Sequence, residues 1–212
     1  MAAYVTLREP YAEASQQRQA DFLGMYVFLA TETMIFGGLL SLVFAYRLAH
    51  PQASAEAARH LKIWIATGNT ALLMTSSLCV ALAVIAARAG SRRAVLGWLA
   101  AAAALGCAFL GLKGWEYLQD LQEGLSPLGG PSSPLRATPA ALFIDLYYGA
   151  TALHALHLTA GLGLLAWAMT RVAHGTTRLP QQAVVVEMTG LYWHFVDVVW
   201  VFLFPIFYLA RG

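Results

Sequence analysis

Five stretches of this chain are each long and apolar enough to cross a bilayer, and that constrains the fold more than anything else in the sequence. A spanning helix needs about 20 predominantly apolar residues. Inside lipid, backbone N–H and C=O groups find no water, so the segment must satisfy them within itself, which a helix does. The runs lie at 22–46, 63–87, 94–118, 140–170 and 183–210. The expectation is an all-α polytopic membrane protein with five transmembrane helices, preceded by an N-terminal cytoplasmic segment at 1–21. The fourth run exceeds one bilayer crossing, so it is expected to tilt or to project beyond the lipid.

Composition excludes the alternatives. Apolar residues make up 59% of the chain and charged ones 11%, against about 25% charged in soluble domains. So few charges cannot cover a soluble surface of this size. Disordered, collagenous, disulfide-scaffold and nucleic-acid-binding classes fall away with it. The net charge of +2 does not call for an anionic partner. Cys79 and Cys107 stand alone in apolar runs and read as small buried residues. Residues 1–21 mix Arg8 and Arg18 with Glu9, Glu13 and Asp21 and lack an apolar core, so neither a cleaved signal nor a transit peptide is expected.

Breakers and charges fall where the helices should stop. Pro51 follows the first run, Gly90 with Arg88, Arg92 and Arg93 separates the second from the third, and Gly175 with Pro180 separates the fourth from the fifth. The connection at 119–139 contains SPLGGPSSP and is expected to be an irregular surface loop. Arg8, Arg18, Arg88, Arg92, Arg93, Arg171 and Arg178 flank one membrane face; Arg47, Arg59, Lys62, Arg136 and Arg211 flank the other. The excess favours the N-terminus inside and the C-terminus outside.

Ionisable residues within spans are costly and mark interior contacts or function. Glu32 sits near the middle of the first run and should face protein. Hydrogen bonding to a neighbouring helix is the simpler reading, a role in proton movement the sharper one. Asn69 in the second run should bond a neighbouring helix. Lys113 and Glu116, three apart near the end of the third run, should pair at the membrane interface. His154 and His157 share a face of the fourth run. No third ligand accompanies them, so hydrogen bonding between helices outweighs metal or haem ligation. Glu187, Gly190, His194 and Asp197 form one stripe on the fifth run, where a His194–Asp197 pair would neutralise charge. That stripe reads as helix-to-helix contact more readily than as a proton relay.

These residues stand in segments that resemble subunit III of haem-copper oxidases. GLYWHFVDVVWVFLFPIFYL at 190–209 is similar to the family's last helix, and WHFVDVVW is a rare string. LATETMIFGG at 29–38 resembles the first core helix, whose buried glutamate falls on Glu32. Asn69 lies where the family has an asparagine, WEY at 115–117 puts Glu116 in the acidic position, and ALHALHLTAG at 152–161 resembles a GxHxxH helix with Ala152 in place of the glycine. Arg171 follows His157 by the interval of a family arginine that meets a lipid phosphate. The resemblance covers about 22–210. Mitochondrial members have seven helices, whereas five is what the quinol oxidase members and several bacterial forms show. The 119–139 loop lacks the family's usual aspartate-glycine stretch.

The resemblance implies an accessory subunit with no catalytic residue, metal or haem of its own. It would pack directly on oxidase subunit I beside other oxidase subunits, where haem and copper reside. It would bind phospholipid and support proton uptake and turnover in a bacterial cytoplasmic membrane. Other readings stay open at this point: a relative serving nitric oxide reductase, a membrane cytochrome b, or a free-standing carrier. The near absence of polar groups from the second and third runs weighs against the carrier. Whether the electron donor is cytochrome c or quinol resides in other subunits.

Overall fold

The computed structural model describes residues 13–122 and 140–209. Six α-helices occur in it and no strand among the described residues: α1 Ala14–Ala49, α2 Pro51–His60, α3 Ile63–Arg88, α4 Arg92–Gln122, α5 Ala140–Ala173 and α6 Val184–Tyr208. Five of these are long and apolar enough to cross a membrane. At a rise of about 1.5 Å per residue, α1 with 36 residues and α5 with 34 are both well over 30 Å long, so each projects beyond the hydrocarbon.

The helix ends correct several expected boundaries. α1 begins at Ala14 rather than 22, so Arg18 and Asp21 ride on the helix. α4 runs to Gln122, taking residues 119–122 from the expected loop; the rest of that loop lies outside the described residues. An apolar run measures the part of a helix in lipid, whereas the helix itself continues wherever charged residues tolerate it. α1 stops at Ala49, just before Pro51 as expected, and Pro51 also opens α2 at its first helical position, where the missing N–H costs nothing.

The short turns explain the antiparallel order. After α3, Gly90 takes φ of 75°, Ser91 N donates to Ala86 O at 3.0 Å, and Gly90 N donates to Ala87 O at 3.1 Å. This is a Schellman stop, which requires the left-handed residue that glycine supplies. Gly175 also takes a left-handed turn after α5, with φ of 71° and its N–H on Val172 O at 3.1 Å, and Thr177 N donates to Arg171 O at 3.2 Å.

The core lies between α3, α4, α5 and α6, with α6 the most enclosed. Among the described residues α1 packs beside α2, α5 and α6 and does not reach α3 or α4 at the backbone level. Trp193 on α6 fixes the centre. Its indole N–H donates to Ser76 Oγ at 3.1 Å, and Ser76 donates to Ala102 O at 3.0 Å. The ring lies in a slot between Gly106 on α4 and Gly161 on α5; a methyl group placed on them would stand 2.8 and 3.0 Å from its edge. Two glycines thus let one tryptophan touch three neighbouring helices.

Candidate functional site

Three polar assemblies, at three depths, hold the bundle. At one end Glu187 of α6 is enclosed, its side chain 4% exposed, and accepts from Arg18 of α1 at 2.9 Å and from Arg88 of α3 at 2.8 Å. The guanidiniums are largely in solvent. The rest of the stripe on α6 also faces α3. Gly190 lets Val80 and Val84 close in, and His194 Nδ1 meets Ser77 Oγ at 2.6 Å. The expected His194–Asp197 pair is not formed, because His194 turns to Ser77 across the helix interface rather than along its own helix. Ser77 also lies beside Asp197, but its close contact is with His194.

At mid-depth Glu32 of α1 meets His157 of α5, Oε2 to Nε2 at 2.9 Å, while His157 Nδ1 lies 2.9 Å from Leu153 O. A carbonyl can only accept, so Nδ1 carries a proton. The contact with Glu32 then holds one further proton, on either the carboxyl or the imidazole. Either way the pair is neutral overall, the form that a low-dielectric setting favours. Phe36 packs edge-on to the imidazole at 5.0 Å, and Tyr192 donates to His157 O at 3.1 Å. The sequence marked both residues but not as partners, since 125 positions separate them.

At the other end Lys113 and Glu116 do pair, at 3.1 Å, but inside the protein rather than at the membrane interface: they are 4% and 1% exposed. The Lys113 ammonium also donates to Tyr147 Oη and Tyr208 Oη, both at 2.7 Å. The two phenols donate onward to Glu116 Oε1 at 2.8 and 2.9 Å. Three ammonium protons meet three acceptors, and both carboxylate oxygens are used, the condition under which a buried ion pair is tolerated. Beside it Asp120 accepts from Tyr148 at 2.8 Å and faces Lys62 at 3.7 Å; Tyr117 bonds Thr151. Tyr147, Tyr208 and Asp120 were missed in the sequence, where nothing distinguished those tyrosines from interfacial ones.

Two expected inter-helix hydrogen bonds are absent among the described residues: the enclosed side chains of Asn69 on α3 and His154 on α5 make none. His154 is instead held by rings, with Phe109 at 5.6 Å and Trp200 at 5.1 Å. Arg171 near the end of α5 places its guanidinium over Trp167 at 5.1 Å and its Nε 3.4 Å from Thr177 Oγ1. No group of three or more His, Cys, Asp or Glu among the described residues is arranged to hold a metal ion.

Comparison with known proteins converges on one family. The family model described as cytochrome c oxidase subunit III matches residues 14–211. Cytochrome c oxidase subunit 3 of Thermostichus vulcanus is 32% identical over 190 residues, covering 88% of this chain and 86% of the relative. That of Alkalihalophilus pseudofirmus is 31% identical over 201 residues, covering 92% and 89%. The probable subunit 3 of Mycobacterium tuberculosis is 29% identical over 190 residues, covering 89% and 87%. With five membrane-length helices and a match over nearly its whole length, the chain belongs to the cytochrome c oxidase subunit III family.

Proposed function

We propose that this chain is the accessory subunit of a haem-copper terminal oxidase, packing on catalytic subunit I, holding phospholipid, and supporting proton uptake and sustained turnover. The redox centres, haem and copper, belong to its partners, and the relatives' names favour cytochrome c as the electron donor of the complex. The observation that carries the reading is the attachment of α1. Polar links tie it to α5 and α6 at three depths: Arg18–Glu187, Glu32–His157, and Arg47 to Ile206 O at 3.3 Å. Standing off α3 and α4, it leaves apolar flanks against which acyl chains fit. His157 uses both ring nitrogens on protein partners and His194 uses Nδ1, which suits a subunit without haem.

Purification of this chain from its native membrane tests the reading. Haem and copper should come with it in the partner subunits. Enzyme lacking the chain should lose oxygen consumption sooner during continuous turnover. An enzyme whose rate and endurance ignore its removal would overturn the proposal.

Glu32 serves in this reading as an inter-helix tie. Glu32→Gln keeps a donor for His157 and should be mild, whereas Glu32→Ala should cost roughly 1–3 kcal/mol through an orphaned imidazole and a small void. Oxygen consumption at matched assembly separates the roles: equal, large losses in both variants would make Glu32 a proton carrier.

Arg171 is assigned to a lipid headgroup. Its guanidinium is braced by the Trp167 ring, a long arginine stem can run along apolar surface, and a guanidinium grips phosphate through two N–H groups. Arg171→Ala should lower the phospholipid retained by the purified complex; unchanged lipid content would reduce Arg171 to a flanking charge.

The membrane is a bacterial cytoplasmic one, with the N-terminus inside. The basic residues around the α3–α4 and α5–α6 turns, Arg88, Arg92, Arg93, Arg171 and Arg178, support this orientation. Cysteines placed in the α3–α4 turn should be labelled from the cytoplasmic side, and those in the 123–139 connection from outside. The opposite pattern would invert the topology.

A further inference from the structure

A furrow runs down one face of α6. Glu187 heads it, Leu191 follows one turn on, and Val198 two turns beyond that; at 3.6 residues per turn the three stand within roughly 40° of one another around the helix. To one side of this line Gly190 and His194 meet α3, through Val80 and Ser77. To the other, Phe195 meets Phe36 of α1 at 6.3 Å. Among the described residues α1 and α3 do not approach each other at the backbone level, so they form two walls with α6 as the floor. Leu191 is half-buried and Val198 exposed.

Charge gathers at the head of the furrow. Arg18 reaches in from the α1 wall with one terminal nitrogen and Arg88 from the α3 wall with Nε, and both meet the single carboxylate of Glu187. Two guanidiniums against one carboxylate leave a surplus positive charge. Arg88 keeps both terminal nitrogens, Arg18 keeps Nε and its other terminal nitrogen, and no acceptor among the described residues takes them. The two side chains are 63% and 57% exposed, and the Phe22 ring backs the Arg18 guanidinium at 5.6 Å. Val198 lies roughly 16 Å along the helix from Glu187, about half the thickness of the hydrocarbon core.

We infer that this furrow holds an anionic phospholipid, its phosphate on the free N–H groups of Arg18 and Arg88 and an acyl chain along Leu191 and Val198. The site rests on the reading that the chain holds phospholipid, and it uses none of the residues of the Arg171 contact. Each part of the occupant answers a feature of the furrow. A guanidinium donates two parallel N–H bonds to phosphate, and a phosphate has oxygens enough for both arginines while Glu187 keeps its own bonds, which favours it over the single carboxylate of a partner's helix. An anionic headgroup balances the surplus charge, whereas a zwitterionic one brings an ammonium with its phosphate. The floor below the charges is apolar to the depth of one leaflet, as an acyl chain requires.

Lipid retention tests it. The full chain, reconstituted in discs of mixed phosphatidylcholine and phosphatidylglycerol and re-extracted into mild detergent, should keep phosphatidylglycerol in excess of its share of the bilayer. Arg18→Gln with Arg88→Gln and Glu187→Gln removes the three charges together, leaves no orphaned carboxylate to unfold the bundle, and should lose one phosphatidylglycerol per chain. The same loss should appear in an Arg171→Ala background. Arg92→Gln with Arg93→Gln removes more positive charge from the same end and should leave the retained lipid unchanged. Undiminished retention by the triple variant would overturn the site, and so would an equal loss from the Arg92 and Arg93 pair, which would mean diffuse attraction. Inorganic phosphate that raises the melting midpoint in phosphatidylcholine discs as far as phosphatidylglycerol does would overturn it in favour of a soluble anion. A map of the complete oxidase with a partner's helix in the furrow would overturn it in favour of protein. Endurance of the enzyme with and without the chain reports the accessory role separately, so failure of this site leaves that reading standing.

Discussion

Gly106→Val should prevent the bundle from closing. Even the first added carbon would stand 2.8 Å from Trp193 Cη2 and 3.2 Å from Leu162 Cδ2. The indole cannot retreat, because Gly161 backs its other edge, where an added carbon would likewise stand only 3.0 Å from the ring, and Ser76 holds its nitrogen. Overpacking of a filled core costs about 1–3 kcal/mol per site, and a branched side chain against a pinned ring falls at the upper end or above. Gly106→Ala is the graded control: better helix propensity offsets roughly 1 kcal/mol of its strain. Trp193→Phe in the Gly106→Val background should recover part of the loss, since it removes the ring that clashes. The measurement is the thermal midpoint and the yield of assembled chain. A valine variant that melts like the parent would show that the slot is wider than the structure has it.

Lys113→Met should cost about as much, by a different route. The ammonium is enclosed with Glu116, Tyr147 and Tyr208, so its loss leaves an uncompensated carboxylate and two phenols in the bundle interior. Removing one member of a buried pair costs about 3–5 kcal/mol, whereas replacing both by apolar residues of similar volume is often neutral. Lys113→Met combined with Glu116→Leu should therefore be more stable than either single variant. A double variant no better than its parents would mean that the tyrosines, not the ion pair, set the energy of this cluster.

Most of the architecture was legible in the sequence for one physical reason. Lipid imposes the same demand on every crossing segment, so apolar length alone reports each span, and the glycines at 90 and 175 report where helices must stop. What length could not report was where a helix ends outside lipid. Hence the early start of α1, the extension of α4 and the presence of α2 appeared with the structure.

The polar residues divide along a similar line. Glu32, Glu116, His157, Glu187 and His194 were identified as interior groups because a charge in an apolar run is conspicuous. Their partners were not, because each lies on another helix: Glu32 finds His157 across 125 positions, Arg18 finds Glu187 across 169, and Lys113 finds Tyr208 across 95. Local spacing suggested a His194–Asp197 pair, and tertiary packing gave His194 to Ser77 instead. Asn69 and His154 show the limit from the other side. Burial was foreseeable from the sequence, but whether a partner lies within reach depends on how three helices meet around Trp200. The sequence by itself determined which segments enter the membrane and which groups must be sheltered there, since transfer out of water depends on residue type. Only the tertiary structure decided which sheltered groups meet, because a hydrogen bond tolerates less than an ångström of error and helix register and rotation are settled by packing such as that of Trp193 between Gly106 and Gly161.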